Sequence, residues 1–246
     1  MTPTESFISH LIELRGRVLK IALGLVLTFI VLFPFANKIY TLLAAPLLAK
    51  LPAGAQMIAT AVTTPFFVPM KVAMLAAFVI SLPNTLYQIW AFVAPGLYPQ
   101  EKKLMLPVIV ASCLLFAAGM SFAYFVVFPT VFGFIVGSAP VGVAVMTDIG
   151  EYLDFVITLF LAFGTAFEVP IAVVLAVRFG WVTIAQLKEA RGYVVVGAFV
   201  LGAIFTPPDI ISQFMLAVPL WLLFEVGLIV AQFMQPKVNT IANKQA

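Results

Sequence analysis

The stretch VLKIALGLVLTFIVLFPFA, residues 18 to 36, decides the fold, because after Lys20 it continues without a charged residue. Bilayer hydrocarbon is about 30 Å thick and a helix rises about 1.5 Å per residue, so roughly 20 mainly apolar residues make one crossing. The run is followed by asparagine and lysine rather than by a small-residue cleavage site, and both acids and bases precede it. We therefore predict an uncleaved first transmembrane helix.

The composition of the whole chain agrees with a membrane location. Of the 246 residues 63% are hydrophobic and only 9% are charged, and the mean hydropathy is +1.16. A single water-soluble core cannot bury that much apolar surface. The 13 basic residues form no stripe, so we expect no nucleic-acid partner. With Cys113 and His10 as the only residues of their kinds, we expect no disulfide, no metal site and no cofactor.

Six apolar segments predict an all-α membrane protein, a kinked and concave bundle with short fifth and sixth spans. The fifth segment offers only about 22 Å of helix, and the TPPD motif that follows predicts a tight hairpin into the sixth. Prolines within or beside the spans are expected to kink them. The predicted spans are residues 18–36, 68–94, 104–127, 155–177, 193–205 and 210–233.

Basic residues predict the orientation, since cytoplasmic loops carry an excess of lysine and arginine. With six spans, one side holds ten of them: Arg15, Arg17, Lys20, Lys102, Lys103, Arg178, Lys188, Arg191, Lys237 and Lys244. The other side holds Lys38, Lys50 and Lys71. Both termini are therefore expected in the cytoplasm.

The domain organisation is predicted to be simple. Residues 1–246 are expected to form one integral membrane domain, because no stretch is left over for a second one. A cytoplasmic amphipathic segment spans residues 1–17, six helices occupy 18–233, and a cytoplasmic tail covers 234–246. The external connection, residues 37–65, is rich in proline and small residues and is expected to pack as a cap.

The motifs of intramembrane enzymes are missing from the sequence. A metalloprotease needs HExxH, an aspartyl protease needs two aspartates within spans, and a serine protease needs a base beside its serine. None of these patterns occurs, so we predict that the chain is not an enzyme.

Glu13 is the one acid among Arg15, Arg17 and Lys20, where only basic residues are explained by topology. One interpretation is an i,i+4 pair with Arg17, worth about 0.3 to 0.5 kcal/mol on a helix surface. The other is a binding site, because a stronger competitor can replace so weak a pair. Helical spacing places the polar side chains on one face and an apolar stripe on the other, consisting of Phe7, Leu11, Leu14 and Val18.

Glu101 opens the third span and also has two interpretations. An acid in a first helical turn is favoured by the helix dipole. Alternatively, Glu101 and Glu13 form a pair of acids at the cytoplasmic boundary, whose natural ligand is guanidinium, since its planar fork binds carboxylates bidentately.

Two further acids lie inside predicted spans, Glu168 near the centre of the fourth and Glu225 in the sixth. Intramembrane acids cost roughly 2.5 to 3.5 kcal/mol at the bilayer centre, so they are expected to face protein or water. Gln213 adds a polar group that a partner helix can bind.

An alternative function is a proton-coupled secondary transporter that uses Glu168. The test is uptake of a small molecule by the purified chain in liposomes. Proton-dependent uptake that is lost in Glu168→Gln would favour the transporter.

Several stretches, in order, resemble the TatC family, the receptor subunit of the twin-arginine protein translocase. These are HLIELR at 10–15, TTPFFVPMK at 63–71, YQIWAFVAPGLY at 87–98, FAYFVVFP at 122–129, FEVP at 167–170 and TPPD at 206–209. The likeness covers nearly the whole chain. It implies a multi-pass protein of the bacterial inner membrane that binds precursors of folded proteins.

The resemblance also implies roles for particular residues. Glu13 and Glu101 would recognise the paired arginines of signal peptides, and Glu168 would face the concave side. Single-span TatA and TatB subunits would dock where this chain has Thr206 and Gln213. The protonmotive force would drive transport, and the chain would contact membrane lipid and form homo-oligomers within the receptor complex.

Overall fold

The computed structural model describes residues 3–51, 56–93, 105–138, 140, 146–205 and 210–234. It divides into two compact units, Met1–Gly164 and Thr165–Ala246. In the described ranges, helices account for nearly all of the chain, which confirms the predicted all-α class.

The first predicted span is part of a longer helical segment. Helix α1 (Pro3–Leu32) passes through a 3₁₀ turn (Phe33–Phe35) into helix α2 (Ala36–Leu48). The first part of the predicted external connection, residues 37–48, is therefore helical, and its packing as a cap stays a prediction. Residues 36–48 are helical because they bury one apolar face, and α2 packs against α3 and α5, defined below. Pro46, inside α2, does not end the helix.

Helix α3 (Thr64–Val93) contains Pro69 and Pro83 and packs along α1. A close approach fixes this pairing. A Cβ atom at Gly24 would lie 2.5 Å from the Asn84 side-chain nitrogen. The same nitrogen donates a hydrogen bond to the Lys20 carbonyl oxygen at 3.3 Å. A larger residue at position 24 would displace the Asn84 side chain from this contact.

The third and fourth predicted spans have different ends from those expected. Helix α4 (Met105–Phe122) continues through a π-helical turn (Ala123–Val127) into helix α5 (Phe128–Gly137). The end predicted at residue 127 is wrong, because the wider turn lies just before Pro129 in the first turn of α5 and the helix resumes after it.

Helix α6 (Ile149–Ala166) begins earlier than predicted, and the fourth span breaks before helix α7 (Val169–Arg178). Pro170 lies in the first turn of α7, where its missing N–H costs nothing. In the first unit, α5 and α6 share an aromatic core in which Phe128 contacts Phe160 at a ring-centroid distance of 5.0 Å.

The second unit contains α7, the short helix α8 (Ile184–Glu189), α9 (Arg191–Phe205) and α10 (Ile210–Met234). Helix α10 packs against α7 and α9. The predicted shortness of the fifth apolar helix is confirmed by the 15 residues of α9. The short sixth span is wrong: α10 has 25 residues, because Pro219 lies in its interior without ending it. The TPPD break lies outside the described residues.

Asp148 attaches the connection after α2 to the start of α6. Its Oδ2 accepts hydrogen bonds from the Thr60 N–H at 2.8 Å and the Thr60 hydroxyl at 2.7 Å. Its Oδ1 accepts from the N–H groups of Gly150 and Glu151, at the first turn of α6. The Thr60 hydroxyl, followed by the Thr60 N–H, lowers the pKa of Asp148 from 3.8 to about 2.

The attachment at Asp148 predicts a pH dependence. Because the folded chain holds the ionised form, the stabilisation is complete above the ordinary pKa of 3.8 and is lost as the pH falls through about 2. Amide exchange at Thr60, followed from pH 5 to 2 in micelles, is expected to lose protection over this interval. Asp148→Asn should reduce protection at every pH, whereas Glu151→Gln on the same helix should behave as wild type. Equal protection in wild type and Asp148→Asn would refute the role.

Candidate functional site

Glu13 and Arg17 form an ion pair on α1. The Arg17 Nε and Nη2 atoms donate to Glu13 Oε1 at 3.0 and 2.5 Å. The side chains are 35% exposed for Glu13 and 21% for Arg17. The predicted i,i+4 pair is thus confirmed, and it leaves the carboxylate accessible to solvent. In this structure the Glu13 carboxylate binds the guanidinium group of Arg17.

Helix α3 supplies the other wall of this site. Arg17 Nη1 donates to Gln88 Oε1 at 3.5 Å, and Gln88 is only 8% exposed. The His10 ring stacks on Phe92 at a centroid distance of 4.3 Å. The polar face of α1 therefore meets α3, while the apolar stripe at Leu11, Leu14 and Val18 is exposed to the surroundings.

Gln88 was not predicted as a site residue. The sequence feature that could have indicated Gln88 is a glutamine inside an otherwise apolar span, in the motif YQIWAF. Nothing in the spacing indicated its partner, because Arg17 and Gln88 are 71 residues apart in the chain.

Glu101 and Thr206 lie outside the described residues. The pairing of Glu101 with Glu13 therefore stays a prediction, as does the role of Thr206.

Gln213 joins the two helices of the α9–α10 hairpin. Its side-chain nitrogen donates to the Phe199 carbonyl oxygen at 2.9 Å. A Cβ at Gly202 would lie 3.0 Å from Gln213 Cγ and 3.1 Å from the Gln213 carbonyl oxygen. The small residue thus allows the helices to approach closely. Docking of a partner helix at Gln213 stays a prediction.

The remaining predicted acids belong to the second unit. Glu225 of α10 pairs with Arg191 at the start of α9, with 2.6 Å between Oε2 and Nη2. An ionised carboxylate in an apolar helix is stabilised by such a partner.

Glu168 precedes α7, is half-buried and does not cap that helix with its side chain. Among residues with described placement, no group of three acid, cysteine or histidine side chains could hold a metal ion.

These helices define a class of protein. In the described ranges, five helical segments are long and apolar enough to cross a membrane, and Arg191–Phe205 is a shorter apolar helix. Large apolar side chains along α1 are exposed, Val31 at 67% and Ile30 at 60% among them. Such surfaces require lipid. The chain is a multi-pass helical membrane protein; the count of six crossings stays a prediction.

Comparison with known proteins identifies the family. The sequence profile described as Sec-independent protein translocase protein (TatC) matches residues 9–219. The TatC protein of Haemophilus influenzae is 51% identical over 241 residues, covering 98% of this chain and 94% of that protein. The Escherichia coli K12 protein is 50% identical over 230 residues, covering 94% and 89%.

Solved structures agree with the sequence comparison. The crystal structure described as "Twin Arginine Translocase Receptor- TatC" matches with a TM-score of 0.78 and 36% identity, covering 91% of this chain and 98% of that one. A second crystal structure of that receptor, in the detergent DDM, gives a TM-score of 0.80 at 35% identity, covering 90% and 99%. This chain belongs to the TatC family, and it is a membrane component of the Tat protein translocase.

Proposed function

We propose that this chain is the signal-peptide receptor of the Tat translocase in the bacterial inner membrane, with both termini in the cytoplasm, and that it is not an enzyme. The observation that carries the proposal is the partly exposed Glu13 carboxylate, which already binds the guanidinium group of Arg17. Two crystal structures that this chain resembles are described as those of a twin-arginine translocase receptor.

The geometry of Arg17 supports a competitive mechanism. An i,i+4 pair on a helix contributes only about 0.3 to 0.5 kcal/mol, so an incoming arginine can displace Arg17 from Glu13 at little cost. Arg17 then keeps the Gln88 amide oxygen as an acceptor. The second arginine of the signal peptide binds Glu101, and the apolar segment that follows lies along the concave face of the receptor.

After capture, the receptor nucleates a translocation site with TatA and TatB, and the protonmotive force drives transport. Glu168 lies at the break between α6 and α7, as the residue that directly precedes α7. Glu225 is held by Arg191 and stabilises the unit in which partner helices dock. The chain works as one integral membrane domain and associates with further copies in the receptor complex.

The decisive test of the receptor function varies the ligand. A fluorescent signal peptide with paired arginines is titrated against the purified chain in nanodiscs, beside peptides with paired lysines and paired glutamines. The arginine peptide should bind most tightly and the lysine peptide distinctly less, because lysine cannot form the bidentate contact. Equal affinity of all three would show that the apolar segment alone is bound.

Partner docking at Gln213 is tested by disulfide trapping. In a Cys113→Ala background, Gln213→Cys is expected to form an adduct with a cysteine placed in the membrane helix of TatA or TatB. Val226→Cys, on the same helix and 49% exposed, is the matched control and should remain unmodified. Scanning positions 210 to 217 without finding an adduct would contradict docking on this part of α10.

A further inference from the structure

An apolar groove lies between three helices of the first unit. Its walls are formed by Leu25 and Phe29 of α1, Met74 and Phe78 of α3, and Ile157 and Leu161 of α6, and its volume is about 560 Å³. This is within the range of pockets that hold small ligands. Met74 is 43% exposed and Leu161 36%, so the groove can be entered from the surrounding bilayer.

One end of the groove carries an ion pair. Among the described residues that line it, Lys71 is the only charged one, and its Nζ lies 2.6 Å from Asp154 Oδ1. Both side chains are about half-exposed, 46% for Lys71 and 56% for Asp154. Lys71 lies near the start of α3 and Asp154 near the start of α6, whereas Phe78 lies two turns further along α3, roughly 10 Å deeper.

From this arrangement we infer that the groove is a phospholipid site selective for a zwitterionic headgroup with a primary amine, phosphatidylethanolamine. One acyl chain fills the groove. The phosphate accepts from Lys71, and the ammonium donates to Asp154. The positive charge of Lys71 and the negative charge of Asp154 thus face the phosphate and the ammonium of the headgroup, and the apolar groove beside them takes the acyl chain.

The headgroup, rather than the tail, provides the selectivity. Lipid tails are as apolar as leucine, so moving an acyl chain from the bilayer into the groove gains packing but no hydrophobic free energy. The ammonium of phosphatidylethanolamine can donate hydrogen bonds to Asp154, whereas a choline headgroup has no N–H to donate. A phosphatidylglycerol headgroup brings only negative charge, which Asp154 repels.

The test is native mass spectrometry of the full chain, delipidated and then given equal amounts of phosphatidylethanolamine, phosphatidylcholine and phosphatidylglycerol with identical acyl chains. Wild type is expected to retain the ethanolamine lipid over each of the others by roughly tenfold. Asp154→Asn should abolish the preference over phosphatidylcholine, and Lys71→Gln should weaken both zwitterionic lipids. Met74→Trp should displace lipid by filling the groove, and Glu151→Gln, the matched loss of one acid on α6, should change nothing.

Several outcomes would overturn the inference. Equal retention of the three lipids by wild type would do so, and so would an undiminished preference in Asp154→Asn. A photoreactive residue at position 74 gives an independent readout in bilayers that contain phosphatidylethanolamine and a signal peptide. A lipid adduct supports the site, whereas an adduct with the apolar segment of the peptide assigns the groove to the peptide instead.

Discussion

Replacing Glu13 by glutamine is expected to lower the affinity for a twin-arginine signal peptide by roughly 10- to 100-fold. A charge-assisted hydrogen bond contributes about 1.5 to 3 kcal/mol, and each 1.4 kcal/mol changes the dissociation constant about tenfold. Glutamine keeps the length of the side chain and one acceptor oxygen but loses the charge. The fold should persist, because the lost pair with Arg17 contributes only about 0.3 to 0.5 kcal/mol. Fluorescence anisotropy in nanodiscs measures the effect.

Two control variants make the Glu13 result specific. Glu189→Gln removes an exposed acid from α8 in the second unit and should leave the affinity unchanged. Arg17→Gln should not weaken binding, and a gain of up to about twofold is expected because the competing guanidinium is gone. If Arg17→Gln lowers affinity as much as Glu13→Gln does, the ion pair is a structural element and Glu13 is not the ligand of the peptide.

Gly227→Leu is expected to produce the largest loss of stability. A Cβ at Gly227 would lie 2.9 Å from Pro170 Cα and 3.1 Å from Val173 Cβ. The first of these is backbone, which cannot rotate away. Around this contact, α7 and α10 bury a cluster that includes Leu228 and Phe224. Overpacking usually costs about 1 to 3 kcal/mol. A leucine at position 227 adds three further carbon atoms beyond a Cβ that already clashes with Pro170.

Unfolding in detergent, followed by circular dichroism, measures the loss in Gly227→Leu. Gly227→Ala should be intermediate, since it adds only the clashing Cβ. The matched control is Gly197→Ala in α9, where nothing lies within 4 Å of the added Cβ. Because alanine has a higher helix propensity than glycine, this variant should raise the free energy of unfolding by up to about 1 kcal/mol. Unchanged stability in Gly227→Leu would mean that α7 and α10 do not pack in this way.

Much of the fold followed from local features of the chain. The apolar runs predicted the helices, and the 15-residue limit of α9 was visible in the sequence. The ends of helices were less predictable. Residues 37–48 contain a proline and were assigned to an external connection without a predicted helix, yet they are helical because α3 and α5 cover their apolar face. Tertiary packing overrides a local preference of this size.

The candidate site was predictable where its contacts are local in the sequence. The Glu13–Arg17 pair is a contact at i,i+4, so helical spacing alone indicated it. The contacts of Arg17 with Gln88 and of Glu225 with Arg191 join separate helices. Each residue was visible as a polar group in or beside an apolar segment, but its partner was not.

The sequence by itself determined that this chain is a helical membrane protein of the TatC family, with an acid among the bases before its first span. Hydropathy and helical spacing are local properties, and they can be read without knowing how helices meet. Only the tertiary structure decided which charges pair across helices, Lys71 with Asp154 and Arg191 with Glu225. Those pairs depend on helix register and approach, which small residues such as Gly24 permit by leaving room for one particular neighbour.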